Sequence, residues 1–209
     1  MGENIVITIA RQYGSGGKTI GAMLAKELGI NCYSREILKM ASEESGINEG
    51  LFGMSDEKIK KAPWFKILSR PYDGELLTPE DRDFVSDDNL FNYQAKVIQD
   101  LAEKESCVIV GRCADYVLGD YSNVINTFIY AYKDDRLNRI MDIYKLTEKQ
   151  AADKIKKTDR ERKLYYEART GREWGGIESN SMLFNTSLLG IDGVTDALEA
   201  IYRKWESRG

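Results

Sequence analysis

Gln12-Tyr13-Gly14-Ser15-Gly16-Gly17-Lys18-Thr19 stands just after the apolar run Ile5-Val6-Ile7-Thr8-Ile9. The run is β-branched and long enough for a buried parallel strand. The glycines mark a loop. From Lys18 to Leu28, Ile20, Met23, Leu24 and Leu28 recur at three- and four-residue steps, and Gly29 stops the pattern. Strand, glycine loop and helix in this order form a ready anion site, because loop amides point inward and the helix N-terminus adds partial positive charge. Gly17-Lys18-Thr19 matches the end of the phosphate-loop motif, in which a lysine reaches the β- and γ-phosphates and a hydroxyl holds magnesium. Gln12 replaces the leading glycine. A glycine-rich turn that binds no nucleotide is the competing reading, but the strand and helix that the motif requires are both present. The glycine spacing does not give a dinucleotide fingerprint, and no acid ends a convincing second strand.

Outward from this unit the pattern continues as strands alternating with helices. Cys32-Tyr33 reads as a short strand and Arg35 to Glu44 as a helix ended by Gly46. Asp88 to Glu105 is amphipathic, with Leu90, Tyr93, Val97, Ile98 and Leu101 on one face. Cys107-Val108-Ile109-Val110 is a buried strand closed by Gly111-Arg112, and a further strand lies within Asn123–Tyr132. Asp134 to Tyr144 is helical. Thr147 to Thr170 is one long polar helical stretch, continuous or with one break, capped by Thr147 and Gly171. Ser181 to Ser187 reads as the last strand and Gly193 to Trp205 as the last helix. The alternation predicts an α/β fold with a parallel sheet covered by helices on both faces. Residues 47–86 hold all three prolines (Pro63, Pro71, Pro79) and Trp64-Phe65, and read as a helical insertion with loops.

Composition narrows the chemistry. The 209 residues carry a net charge of −4 and no histidine. The charge gives no broad drive toward nucleic acid or an anionic membrane. Without histidine, every mechanism that uses a histidine base or a histidine-rich metal site is excluded. Lysine, arginine, carboxylates and backbone amides remain, and phosphoryl transfer needs little more, since it depends on positioning and charge stabilisation. No apolar run reaches membrane-spanning length. No basic N-terminal segment suggests a signal peptide, and the three cysteines show no metal spacing. A cytoplasmic protein with reduced thiols is expected.

The run from Ile7 to Leu28, with Val108-Ile109-Val110-Gly111-Arg112 and the arginine-rich stretch before Asn185-Thr186-Ser187, resembles the cytidylate kinase-like family over nearly the whole chain. The resemblance implies a P-loop kinase fold as a single domain. The core would be 1–46 and 88–209, with a helical acceptor-lobe insertion at about 47–87 and a lid at about 147–175. It also implies ATP, magnesium and a pyrimidine monophosphate acceptor. A gapless match to true cytidylate kinases sets Gly14, Ser15 and Gly16 on glycine-loop positions and Thr19 on the magnesium threonine. In that register the loop lysine falls on Gly17. The simple motif makes Lys18 the phosphate lysine instead, and both registers stay open. Arg112 matches an arginine that contacts the acceptor phosphate, and Cys113 stands where true cytidylate kinases carry an aspartate. A surface ion pair of Arg112 with Asp115 or Glu105 is the rival reading. Ser34 and Arg35 lie where the family holds the monophosphate, or serve as an N-cap and a surface charge. Asp159, Arg160 and Arg162 match a lid segment whose aspartate and arginines contact the acceptor and the transferring phosphate, with Asp159 on the acceptor side. Tyr165-Tyr166 with Trp174 read as packing under the lid.

The expected activity is transfer of the γ-phosphoryl group of MgATP to CMP or dCMP. Gly14 to Lys18 would cradle the phosphates, Lys18 would balance charge as a catalytic cation, Thr19 would ligate magnesium, Arg112 would hold the acceptor, and Arg160 and Arg162 would close the lid. An ATP-binding regulator without turnover, and a kinase of another small acceptor, remain open. Small-molecule nucleotides are the expected partners, with no nucleic acid or membrane. The oligomeric state is not legible.

Overall fold

The structure, a computed structural model, describes residues 4–55 and 74–207. The elements are β1 (Val6–Arg11), α1 (Gly17–Leu28), β2 (Asn31–Tyr33), α2 (Glu36–Ser45), α3 (Glu49–Ser55), α4 (Asp87–Lys104), β3 (Cys107–Val110), α5 (Ala114–Val117), β4 (Val124–Tyr130), α6 (Lys133–Tyr144), α7 (Glu148–Thr170), β5 (Met182–Asn185) and α8 (Thr186–Glu206). The strands form one five-stranded sheet in the order β2-β3-β1-β4-β5. Every pairing is parallel. β1 is central, and the chain enters its neighbours β3 and β4 on opposite sides. A switch of this kind opens a crevice at the carboxyl ends of the strands.

Successive strand residues face opposite ways, so the sheet feeds two cores. Val6, Cys107, Ile109 and Val124 pack under α2, α3, α4 and α5, together with Tyr165 and Tyr166 of α7. Ile7, Ile9, Val108, Val110, Ile125 and Ile129 pack on the other face under α1 and α8. Both cores are continuous apolar surfaces, and each fully buried Ile or Leu contributes about 1.5–3 kcal/mol. Helices cover both faces, as the alternating pattern predicts. Among the described residues no helix is long and apolar enough to cross a membrane.

Local signals set the helix ends. α1 stops where Gly29 turns left-handed at φ 68°. α7 starts with a reciprocal capping box between Thr147 and Gln150 and runs unbroken for 23 residues to Gly171. Ser86 caps α4 by accepting from the Asn89 backbone. The buried Asn89 amide then takes the Leu77 N–H and donates to the carbonyls of Leu77 and Phe84, tying residues 77–86 to the helix.

Two boundaries differ from the sequence reading. The last strand ends at Asn185, because its side chain accepts from the Ser187 backbone and starts a helix there. α8 therefore begins before Gly193 and bends at Gly190, whose backbone is non-helical. In the 47–86 stretch the described helix is α3, with irregular chain from Gly74 and turns from Pro79. Pro63, Trp64, Phe65 and Pro71 lie outside the described residues.

Candidate active site

The glycine loop joins β1 to α1 at the carboxyl edge of the sheet. Gly14 and Gly16 hold φ of 83° and 90°, which L side chains rarely adopt. Their neighbours leave little room as well. A Cβ on Gly14 would lie 3.1 Å from Ile140 Cγ1, and one on Gly16 would lie 3.0 Å from Ile191. The N-terminus of α1 has no side-chain cap and no acid in its first turn. Its leading amides and its dipole are thus offered to an anion, which is the fit that a nucleotide phosphate requires.

The loop is fastened from several sides. Gln12, in place of the leading glycine, accepts the Ala131 N–H through its side chain, while its own N–H donates to the Ile129 carbonyl. Thr186 donates to the Ser15 carbonyl at 2.8 Å. Arg139 of α6 donates to the Gly14 carbonyl. Asp159 of α7 accepts the Tyr13 N–H at 2.7 Å and pairs with Arg136 at 2.8 Å. The Arg162 guanidinium lies over the Tyr13 ring, 5.6 Å from its centroid.

On the other side of β1, the turn after β3 is unusual. Gly111, Arg112 and Cys113 all have positive φ, at 83°, 64° and 54°. Two consecutive non-glycine residues in this region cost on the order of 1–3 kcal/mol each, and such strain gathers at ligand sites. The turn is held against β1 by the Gly111 N–H bonding to the Ile9 carbonyl. It buries Arg112 to 3% exposure, where Nε donates to the Ser34 carbonyl at 3.2 Å. The two carboxylates weighed as surface partners for Arg112 bond elsewhere. Glu105 accepts instead from Tyr33 and Asn31, and Asp115 accepts from Tyr166 at 2.6 Å.

Arg112 meets Arg162 in a cavity of about 20 Å³, also lined by Arg11, Cys113, Asp115, Tyr165, Tyr166 and Trp174. That volume admits about one water. Burial lowers the Arg112 pKa to about 10, with the neighbouring charge of Arg11 as the second cause. Burial raises Asp115 to about 6, although the Tyr166 hydroxyl opposes the shift.

The candidate residues therefore divide. Gly14, Ser15, Gly16, Gly17, Lys18 and Thr19 form the loop and the first turn of α1, with Lys18 and Thr19 exposed. Arg112 and Arg162 converge on the cavity. Ser34 touches the site through its carbonyl, and the exposed Arg35 takes the N-cap position of α2 without capping it. Asp159 is engaged with the glycine loop and Arg136, and Arg160 is exposed. Sequence reasoning missed Arg11, Asp115 and the anchors Arg136 and Arg139. A charged residue at the carboxyl end of the central strand was the available signal for Arg11. Tyr165 and Tyr166 of α7 are buried in the core with residues of α4 and α5, and Trp174 meets Phe128 edge-on with centroids 5.3 Å apart. Among the described residues no group of three or more carboxylates and thiols gathers as a metal site. Magnesium at such a loop is commonly held by substrate phosphates, water and one or two side chains, and Thr19 lies exposed on the first turn of α1.

Residues 6–188 match the model of the cytidylate kinase-like family. A comparison with curated proteins gave no match. Among solved structures, an uncharacterized protein from Eubacterium ventriosum is similar at 28% identity and TM-score 0.68, over 93% of this chain and 96% of that one. Shikimate kinase from Bacteroides thetaiotaomicron is similar at 13% identity and TM-score 0.53, over 95% and 98%. Shikimate kinase from Acinetobacter baumannii, in complex with shikimate, is similar at 12% identity and TM-score 0.50, over 96% and 94%. At these identities the two shikimate kinases speak to the fold alone.

Proposed function

The chain belongs to the cytidylate kinase-like family, and from that premise we propose that it moves the γ-phosphoryl group of MgATP to a pyrimidine nucleoside monophosphate, CMP or dCMP. The observation that carries the reading is that Arg112 and Arg162 line one cavity together with Arg11, the residue that ends β1 ahead of the glycine loop. Guanidinium forks pair two phosphate oxygens at once, so two of them facing one point suit an acceptor phosphate and a group in flight. Bound MgATP would supply the transferable phosphoryl group and the metal charge. The amides from Gly14 to Thr19 would hold its phosphates, and the Thr19 hydroxyl would take a magnesium position. Lys18 stands beside them as a surface cation on the first turn of α1.

Arg112 would hold the acceptor phosphate, with its oxygen in line for attack. Arg162, carried by α7, would neutralise charge on the equatorial oxygens as the lid closes, and Arg160 would approach from the same helix. The cavity is too small for a nucleotide phosphate, so acceptor binding requires the arginines or α7 to move outward first. Closure then excludes water, which limits ATP hydrolysis. No covalent enzyme intermediate is needed. A cytoplasmic location and small nucleotide partners follow from this reading.

The test is ADP formation from MgATP with a panel of nucleoside monophosphates and with shikimate, for wild type, Lys18→Ala and Arg162→Ala. CMP- or dCMP-dependent turnover that is lost in Arg162→Ala supports the reading. Turnover with shikimate alone replaces the acceptor. ATP binding without any turnover makes the protein a nucleotide-binding regulator.

A further inference from the structure

Phosphate-loop chemistry calls for a side-chain cation near the start of the helix that reaches the β- and γ-phosphates. Here the first residue of α1 is Gly17, which is buried and has no side chain. Lys18 follows it on the exposed surface. The charge of Lys18 acts on Cys32 of β2 and on Glu36 at the start of α2, and Glu36 also feels Arg112. Lys18 does not line the cavity that Arg11, Arg112 and Arg162 share.

The space beside Gly17 is filled. A Cβ at position 17 would lie 2.7 Å from Arg11 Cβ and 3.1 Å from Arg11 Cγ. Real Cβ atoms do not approach so closely, so the stem of Arg11 occupies the room in which a side chain at 17 would begin. Glycine at 17 and a long side chain at 11 are thus two halves of one steric arrangement. We propose that Arg11, the last residue of the central strand, is the phosphate-loop cation of this protein, in place of a lysine at the head of α1. The assignment rests on the phosphotransferase reading above.

Arg11 is well placed for that work. It ends β1 where the glycine loop begins, and it lines the cavity with Arg112 and Arg162. Its carbonyl accepts from Arg162 Nη1 at 3.2 Å, so the lid arginine is registered against it. The Gly111 N–H bond to Ile9 keeps Arg112 on its other flank. Arg11 therefore stands between the phosphate loop and the acceptor arginine. On this reading the transferring phosphoryl group passes beside Arg11 on its way to the acceptor. An anion among these guanidiniums also relieves their mutual repulsion. As the acceptor oxygen bonds to the γ-phosphorus and the bridging oxygen leaves with the electron pair, Arg11 would balance charge on the departing oxygen. No proton transfer or further reactant is required.

The experiment is calorimetric titration with MgATP alongside ADP formation, for wild type, Arg11→Ala, Lys18→Ala, Gly17→Lys and the exchange Arg11→Gly with Gly17→Lys. Thermal unfolding of each variant reports whether it is folded. Arg11→Ala is expected to weaken MgATP roughly 10- to 100-fold, the worth of a charged hydrogen-bonding pair. It should slow transfer by about 10²–10³, and both losses should exceed those of Lys18→Ala. Gly17→Lys alone should bind poorly, because its Cβ meets Arg11. The exchange should recover binding, because the cation returns at the helix head and the stem that blocked it is gone. If Arg11→Ala binds and turns over like wild type, or if Lys18→Ala loses more, the assignment of Arg11 falls while the phosphotransferase reading stands. If wild type neither binds MgATP nor transfers phosphate, both fall together.

Discussion

Asp159, in the middle of α7, accepts the backbone N–H of Tyr13 at 2.7 Å across 146 positions of sequence. The same carboxylate pairs with Arg136 of α6 at 2.8 Å. The glycine loop is therefore fixed through α7, the helix that also carries Arg162. The outward movement of α7 that the proposed function invokes would give up this bond or carry the loop with it.

The first prediction concerns that link. Asp159→Ala leaves the largely buried Arg136 guanidinium without its carboxylate and the Tyr13 N–H without its acceptor. A loss of about 3 kcal/mol in unfolding free energy is expected, together with weaker MgATP binding. Asp159→Asn keeps an acceptor for Tyr13 and should recover part of both. Urea unfolding and calorimetry check this. Equal effects of the two substitutions would show that only the charge matters.

Arg112→Lys keeps a positive charge but cannot reproduce the fork or the Nε bond to the Ser34 carbonyl. The KM for the nucleoside monophosphate should rise about 10-fold or more, while MgATP affinity changes little. Steady-state kinetics with each substrate varied in turn separates the two. An unchanged acceptor KM would remove Arg112 from the acceptor site.

Gly16→Ala combines a left-handed backbone with a Cβ 3.0 Å from Ile191. The backbone term alone costs about 1–2 kcal/mol, and the contact adds to it. Lower thermal stability and weaker MgATP binding are expected together. An Ile191→Ala background should relieve the steric part and leave the backbone part, which unfolding of the double variant measures.

Asp115 gives a pH dependence. Burial raises its pKa to about 6, against about 3.9 for an ordinary aspartate. The folded protein therefore keeps a proton that the unfolded chain has lost. This contribution is full below about pH 4 and is lost as pH rises to about 6, at up to roughly 1.4 kcal/mol per pH unit. Asp115→Asn still offers an oxygen to the Tyr166 hydroxyl and should lose that slope. Chemical denaturation of both proteins from pH 4 to 8 tests it, and parallel curves would contradict the shift.

The fold was legible in the sequence because its signals are local. β-branched runs bury on both sides of a parallel sheet, three- and four-residue spacing places α1 and α4, and Gly29, Gly46 and Gly171 end helices by an αL turn that needs no distant partner. Thr147 and Gln150 announce the start of α7 in the same way. Errors fell where a side chain chose between strand and cap, as Asn185 does by bonding to Ser187.

The glycine loop, Arg112 and Arg162 were legible as residues, since their types and order are written in the chain. Their relationship was not. That Arg112 is buried through three left-handed residues, that Asp159 holds Tyr13, and that the stem of Arg11 fills the space beside Gly17 depend on which atoms the packed sheet and helices bring within a few ångströms. Sequence by itself determined the sheet, the phosphate loop and the absence of histidine chemistry. Only the tertiary structure decided which cations face one another, because close packing permits one side chain in each space and electrostatics acts across distances that sequence separation does not measure.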